Sequence, residues 1–312
     1  MKKRILAFFL AFCLIIPCCI TCFAEKVPEI DYCLHENAEW KLLVPQTLVS
    51  ERYYYRKCPD CGFEQTAMKS RTSLPELFFD ILSRAAFFFD LPRVNKNFKI
   101  TGHTGSPGTK ANTIPSLRYS LQSGADIVEF DLNYNSDGVA VLAHGEPDKS
   151  ATTLDAAFAL VAKYVDVQVN VDVKNKNALE QVQELAIKYG ILDRIFYTGV
   201  PEYDIDYVKE HSPLVAYFYG NTAPIPSDPE ECARLCDKVV ERGAIGLNFS
   251  YKEVSDEIVK AAHERGLLIS VFTVNDLKDM NKCLKYNVDY ITTERPYKLY
   301  TITSGFVDKL FK

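Results

Sequence analysis

The chain has 312 residues, an apolar fraction of 47% and a formal net charge of -5 from 36 basic and 41 acidic residues. That length accommodates one large domain, or one large and one small. A slightly acidic balance excludes the basic footprint of a nucleic-acid binder.

The start departs from this ordinary composition. Met1-Lys2-Lys3-Arg4 places positive charge ahead of an uncharged run over 5–23, and the small residue Ala24 follows. This is the layout of a secretory signal cleaved after Ala24, and it predicts an exported protein, secreted or held on the outer face of the membrane. The run is also close to the about 20 residues that span a bilayer, so an uncleaved anchor over 1–24 is the second reading. Cys13, Cys18, Cys19 and Cys22 fall inside the run. The remaining cysteines, at 33, 58, 61, 232, 236 and 283, are too scattered for a disulfide scaffold.

Residues 27–70 read as a small zinc-ribbon-like module. Cys33-Leu34-His35 and Cys58-Pro59-Asp60-Cys61-Gly62 supply a Cys/His ligand set suited to tetrahedral zinc, with donors at about 2.0–2.3 Å. The Arg-Tyr-Tyr-Tyr-Arg run at 52–56 alternates like a hairpin strand that brings the two pairs together. A module with so little core of its own is one that a metal can fold. A disulfide from Cys58 to Cys61 or Cys33, or free thiols, are the competing readings. The segment 71–97 is a hydrophobic linker with a helix over 74–91, whose polar side is marked by Asp80, Arg84 and Asp90. Two positions suit that helix: packed against a neighbouring domain, or lying on a membrane surface.

From residue 98 onward strand and helix patterns alternate. Strands are predicted at 98–102, 127–132, 167–173, 194–198, 214–219, 244–249, 268–274 and 289–293, with an extra hairpin strand at 139–143 after Asp137-Gly138. Helical stretches include 178–189, 229–242, 255–265 and 277–286, several closed by glycine at 190, 243 and 266. This alternation predicts an α/β protein, a TIM (β/α)8 barrel over 98–312. An open doubly wound sheet is the competing architecture, but Gly102, Gly105 and Gly108 only loosely echo its phosphate loop.

In a barrel the chemistry gathers where strands end on one face, and the polar residues follow that rule. His103 ends the first strand. Glu129 and Asp131, two apart on the second, project together at roughly 6–7 Å, while Val128, Phe130 and Leu132 face the other way. Side-by-side buried carboxylates cost several kcal/mol unless a cation compensates. His144 follows the hairpin strand, and Asp172 and Lys174 end the third. Hard oxygen ligands point to calcium or magnesium, and a lysine beside a cation points to a phosphate between them. Outside this group, His211 and His263 read as ordinary helix-end or surface residues, and Cys232 and Cys236 as buried thiols. Tyr217 and Tyr219 read as packing residues, with lining of the barrel mouth as the alternative.

An ordered set of motifs adds to this reading. It runs through His103-Thr104-Gly105, Asn112-Thr113, Gly124-Ala125-Asp126 leading into Glu129-Phe130-Asp131, and Asp137-Gly138 followed by His144. It continues with Asp172-Val173-Lys174, Phe272-Thr273-Val274-Asn275 and the stretch from Asp289 to Pro296. Over roughly residues 98–300 the chain thereby resembles the glycerophosphodiester phosphodiesterase family. The resemblance implies a parallel barrel that uses a divalent metal and two histidines to cleave a small-molecule or lipid-derived phosphodiester into an alcohol and glycerol 3-phosphate. It assigns the metal to Glu129, Asp131 and Asp172, and general acid and base to His103 and His144. Lys174 neutralises the phosphoryl oxygens, and Phe272, where the family usually has tryptophan, and Asn275 belong to the substrate side.

This chain departs from the family pattern at Thr104 instead of arginine, Ala111 instead of glutamate, Gly145 instead of aspartate, and Asp172 where many members have glutamate. The departures imply a weaker grip on phosphate. A barrel that binds phosphodiesters or a surface polymer without turnover is the alternative reading.

Overall fold

A computed structural model describes residues 98–303 except 106–107, 165–166 and 221–222, the segments 41–44, 52–57 and 64–69, and the single positions 39, 59, 62 and 95. The chain divides into two units, Met1–Arg84 and Ala85–Lys312. In the first, β1 (Lys41–Val44), β2 (Arg52–Lys57) and β3 (Glu64–Lys69) form an antiparallel sheet in that order. The strand expected at 52–56 is β2, paired with β3 from Arg52↔Lys69 to Lys57↔Glu64. The Cys-x-x-Cys sequence therefore falls in the connection between them. Cys33, His35, Cys58 and Cys61 lie outside the described residues, as do the segments 1–24 and 74–91 for which a leader and a helix are predicted. Among the described residues no helix is long and apolar enough to cross a membrane.

The second unit is the predicted barrel. Its parallel strands are β4 (Lys99–Gly102), β5 (Ile127–Tyr134), β7 (Gln168–Val173), β8 (Ile195–Pro201), β9 (Ala216–Gly220), β10 (Gly246–Ser250), β11 (Leu268–Phe272) and β12 (Tyr290–Thr293). β4 pairs with both β12 and β5, which closes the sheet. The hairpin strand is β6 (Ala140–Leu142). β5 outruns β4, and its overhang from Leu132 to Tyr134 pairs antiparallel with β6. One strand thus carries both carboxylates and a docking edge for the loop with His144.

Helices α1 (Ile114–Gln122), α2 (Leu154–Val161), α3 (Leu179–Lys188), α4 (Ile205–His211), α5 (Pro229–Arg242), α6 (Asp256–His263), α7 (Leu277–Lys285) and α8 (Pro296–Thr303) complete the layer around it. The best marked in sequence is α5. Asp228 accepts the N–H groups of Glu230 and Glu231 at 3.0 Å, Pro229 opens the first turn, and Gly243 closes the helix at φ 77°. α1, α2, α4 and α8 were not among the predicted stretches. α2, Leu-Asp-Ala-Ala-Phe-Ala-Leu-Val, is apolar nearly all round and so shows little 3.6-residue periodicity.

Strand alternation sorts the core into two regions. Val128, Phe130 and Leu132 are fully buried in the large cluster between sheet and helices. Inside the barrel Ile127, Phe196, Phe218 and Tyr290 form an apolar floor, with ring centroids 5.3–5.9 Å apart. Further toward the strand C-termini the interior turns polar, with Thr198 donating to Asn170 at 2.8 Å. Tyr217 and Tyr219 do not line the mouth. They pack in the sheet–helix cluster, where Tyr217 donates to the Arg242 carbonyl and Tyr219 to Glu202 at 2.9 Å.

Cys232, Cys236 and Cys283 are buried free thiols. Burial pushes Cys236 up to about 11 and Cys283 up to about 12. His211 ends α4, stacked on Tyr207, as an ordinary helix-end residue. His263 likewise ends a helix, α6, with its side chain 29% exposed. Its Nε2 lies 2.9 Å from Asp289 Oδ2, and the same buried carboxylate accepts from Asn95 at 2.6 Å and from the Ile269 N–H at 2.8 Å. Asp289 thereby ties the segment before β4, the end of α6 and β11 together at the foot of the barrel, the end concerned with stability. Asp289→Ala is expected to lower unfolding free energy by about 3 kcal/mol, because it orphans several donors at once. Urea denaturation measures this, and a loss below about 1 kcal/mol contradicts it.

Candidate active site

His103 follows the last residue of β4, and its N–H donates to the Thr293 carbonyl at 2.8 Å. The β12–β4–β5 register sets it between two carboxylates of neighbouring strands. Nε2 is 4.0 Å from Glu129 Oε2, and Nδ1 is 3.9 Å from Glu294 Oε1. Nδ1 also accepts the Gly105 N–H at 3.3 Å. Gly105 keeps this approach open, since a Cβ there would stand 3.3 Å from Glu294 Oε1. Burial lowers the His103 pKa and outweighs the opposing pull of Glu294, Asp131 and Asp172, which favours the neutral ring.

Glu129 and Asp131 are 3% and 5% exposed, pointing into the barrel as their spacing predicts. Asp172 lies directly across from Asp131 in the β5–β7 pairing. One carboxylate oxygen from each of the three lies within 4.8 Å of the others. The aspartate at 172 therefore reaches the cluster despite its short side chain. Burial, then Asp172 and Asp131, push the Glu129 carboxyl well above its ordinary range. Burial pushes Asp131 up as well, but the Asn112 hydrogen bond, Lys174 and His144 bring it to a net value below the usual one.

Lys174 reaches Asp172 at 2.7 Å and Asp131 at 3.3 Å, and His144 Nδ1 reaches Asp131 Oδ1 at 3.2 Å. Burial works against the Lys174 ammonium, yet Asp172 and Asp131 raise its pKa on balance. One ammonium cannot balance three carboxylates. An all-oxygen donor set with excess negative charge, two of its three carboxylates buried, fits a hard divalent cation. Glu129, Asp131 and Asp172 are the residues that would hold it.

Six of the residues read from the sequence thus converge: His103, Glu129, Asp131, His144, Asp172 and Lys174. Phe272 ends β11 with the alternation of Ser270 and is 39% exposed, so its ring is accessible. Asn275 acts at one remove. Its Oδ1 accepts the Thr293 hydroxyl at 3.2 Å and the Glu294 N–H at 2.9 Å, which fixes Glu294.

Thr104 also has a role the sequence reading missed. Its N–H donates to Glu129 at 3.0 Å, and its buried hydroxyl exchanges hydrogen bonds with Asn112. Asn112, at φ 60°, in turn donates to Asp131 Oδ2 at 2.8 Å and accepts the Asp131 N–H at 3.0 Å. The two form a brace behind the carboxylate pair. Glu294 and Gly199 were likewise not singled out. The signal for Glu294 is strand alternation with Tyr290 and Thr292.

Gly199, at φ 69° in an irregular stretch of β8, has no sequence signal beyond being a glycine inside a strand. A Cβ at Gly199 would lie 2.2 Å from Asp172 Oδ1 and 2.8 Å from the Val173 carbonyl. Gly199→Ala is therefore expected to displace Asp172 and weaken divalent-ion affinity about tenfold or more, given the strain at positive φ. Isothermal titration with calcium and magnesium checks this; unchanged affinity would show that Asp172 does not depend on that gap.

The chain matches the Glycerophosphoryl diester phosphodiesterase family over residues 103–194 and 147–298, more than half of its length. It is 22% identical over 245 residues to a protein of Caldanaerobacter subterraneus named glycerophosphodiester phosphodiesterase, covering 65% of this chain and 96% of that one. Among solved structures it is similar to a glycerophosphodiester phosphodiesterase from Parabacteroides distasonis, with 21% identity, a TM-score of 0.58 and coverage of 69% of this chain and 99% of that one. It is also similar to an Oleispira antarctica phosphodiesterase in complex with the product sn-glycerol-3-phosphate, with 18% identity, a TM-score of 0.55 and coverage of 66% and 97%. With the barrel, the carboxylate cluster and the two histidines in place, the chain belongs to the glycerophosphoryl diester phosphodiesterase family of enzymes.

Proposed function

We propose that this chain hydrolyses glycerophosphodiesters to an alcohol and glycerol 3-phosphate, using calcium or magnesium and the His103–His144 pair. The observation that carries the reading is the cluster of Glu129, Asp131 and Asp172, with one histidine beside each of its two β5 members. Bound there, a divalent ion supplies Lewis-acid polarisation of a phosphoryl oxygen. Lys174, between Asp131 and Asp172, adds a cation for charge that develops on the other phosphoryl oxygens.

His103, whose pKa burial lowers, takes the proton of the attacking water; where the glycerol hydroxyl attacks instead, the alcohol leaves a cyclic phosphate that water then opens to glycerol 3-phosphate. His144, with its side chain 78% exposed and Nδ1 against Asp131, gives a proton to the departing alcohol and regains one from solvent. Phe272 offers an apolar wall to the organic part of the diester.

A second reading is favoured by Thr104, whose hydroxyl is taken up by Asn112 where the family usually has an arginine for phosphate. In that reading the barrel holds a phosphodiester without turning it over. Choline release from glycerophosphocholine with calcium or magnesium separates the two. The expected outcome is metal-dependent release that falls about 10²- to 10⁴-fold in His103→Ala. No His103-dependent release from a panel of diesters would leave the binding reading.

The metal site has a test of its own. Glu129→Gln removes a buried carboxylate that its neighbours disfavour, so in chelator the variant should melt higher than wild type while losing activity. Saturating calcium or magnesium should stabilise only the wild type, by about 2.7 kcal/mol at a hundredfold excess over the dissociation constant. A lower melting point for the chelated variant would contradict this account of the cluster.

A further inference from the structure

His144 is the least supported member of the site. It lies two residues past the end of β6, its side chain is 78% exposed, and the next residue is Gly145. A Cβ at Gly145 would meet nothing within 4 Å, so no packing restrains the chain there. The strand pairing ends just before it, with the Ala143 N–H on the Asp131 carbonyl at 3.0 Å. A general acid on such a segment needs something that fixes its backbone.

Asn133 is placed to do so. It shares the inward alternation of Glu129 and Asp131 on β5 and is 9% exposed. Its Oδ1 accepts the Tyr134 N–H at 2.8 Å, which identifies the other end of the amide as the donor. That nitrogen donates to the Gly145 carbonyl at 2.8 Å and to the Ala143 carbonyl at 3.4 Å. The two carbonyls belong to the residues on either side of His144. A single side-chain amide therefore grips the backbone on both flanks of the histidine, from the strand that holds Asp131.

We infer that Asn133 is the positioning residue for His144, replacing by one bifurcated grip the rigidity that Gly145 takes away. The inference rests on the reading of His144 as a catalytic group. Asn133 touches neither metal nor substrate in this role. It keeps the imidazole within reach of Asp131 and of the phosphoryl group, so its loss reduces the fraction of molecules with a competent site.

The test combines glycerophosphocholine kinetics with the His144 ring resonance, identified among the five histidines by its absence in His144→Ala. In Asn133→Ala, kcat should fall about tenfold or more with KM little changed, and the ring resonance of the metal-free protein should shift or broaden. Gly145→Ala added to that variant should recover part of the loss by narrowing the loop's freedom. In a His144→Ala background, Asn133→Ala should cost nothing further. An unmoved resonance, or an equal loss in both backgrounds, would overturn the inference.

If His144→Ala alone proves fully active, the proposed function fails instead. The resonance then still decides whether Asn133 holds the ring: moved upholds it, unmoved overturns it. Asn133→Ser serves the same tests if the alanine variant does not fold.

Discussion

Glu129, Asp131 and Asp172 are held with oxygens within 4.8 Å of one another, two of them almost fully buried, and much of the surrounding structure answers that repulsion. Water is the usual solvent for such charge, and here it is replaced by oriented groups. The Thr104 N–H faces Glu129, the Asn112 amide faces Asp131, and Lys174 bridges Asp131 and Asp172. Each is fixed by something further out. Asn112 is pinned through Thr104, and Lys174 by its own N–H on the Leu132 carbonyl at 2.9 Å. The arrangement stores unfavourable electrostatics that a hard cation relieves, which is how a barrel core becomes a receptor for one.

The barrel itself was legible because its strands are short, apolar and separated by helix signals, and each predicted strand is present with ends shifted by at most three residues. The carboxylate pair was legible because side chains two apart on a strand share a face. What pattern reading cannot see is a residue that acts across the sheet. Thr104 looked like a lost phosphate ligand, yet it holds Glu129 from behind. Asn275, read as a substrate contact, also fixes Glu294. Asp289 and His263 are far apart in sequence, so only the closed barrel reveals that they meet.

The departures at Thr104, Ala111 and Gly145 now separate into kinds. Ala111 lies exposed next to Asn112, and no contact described here explains its identity. Thr104 places a buried hydroxyl in a brace with Asn112 where the family usually has arginine, so one cation is absent while the carboxylates keep their support. Asp172 trades reach for position, and it is the missing side chain at Gly199 that makes the exchange workable. A glycine in one strand and an aspartate in the next therefore form one unit, and neither is interpretable alone.

The apolar floor of Ile127, Phe196, Phe218 and Tyr290 has a consequence for the site. Packed rings 5.3–5.9 Å apart fill the barrel at that end, so the carboxylate cluster is backed by apolar rings and faces the strand C-termini, where loops rather than strands set what meets it.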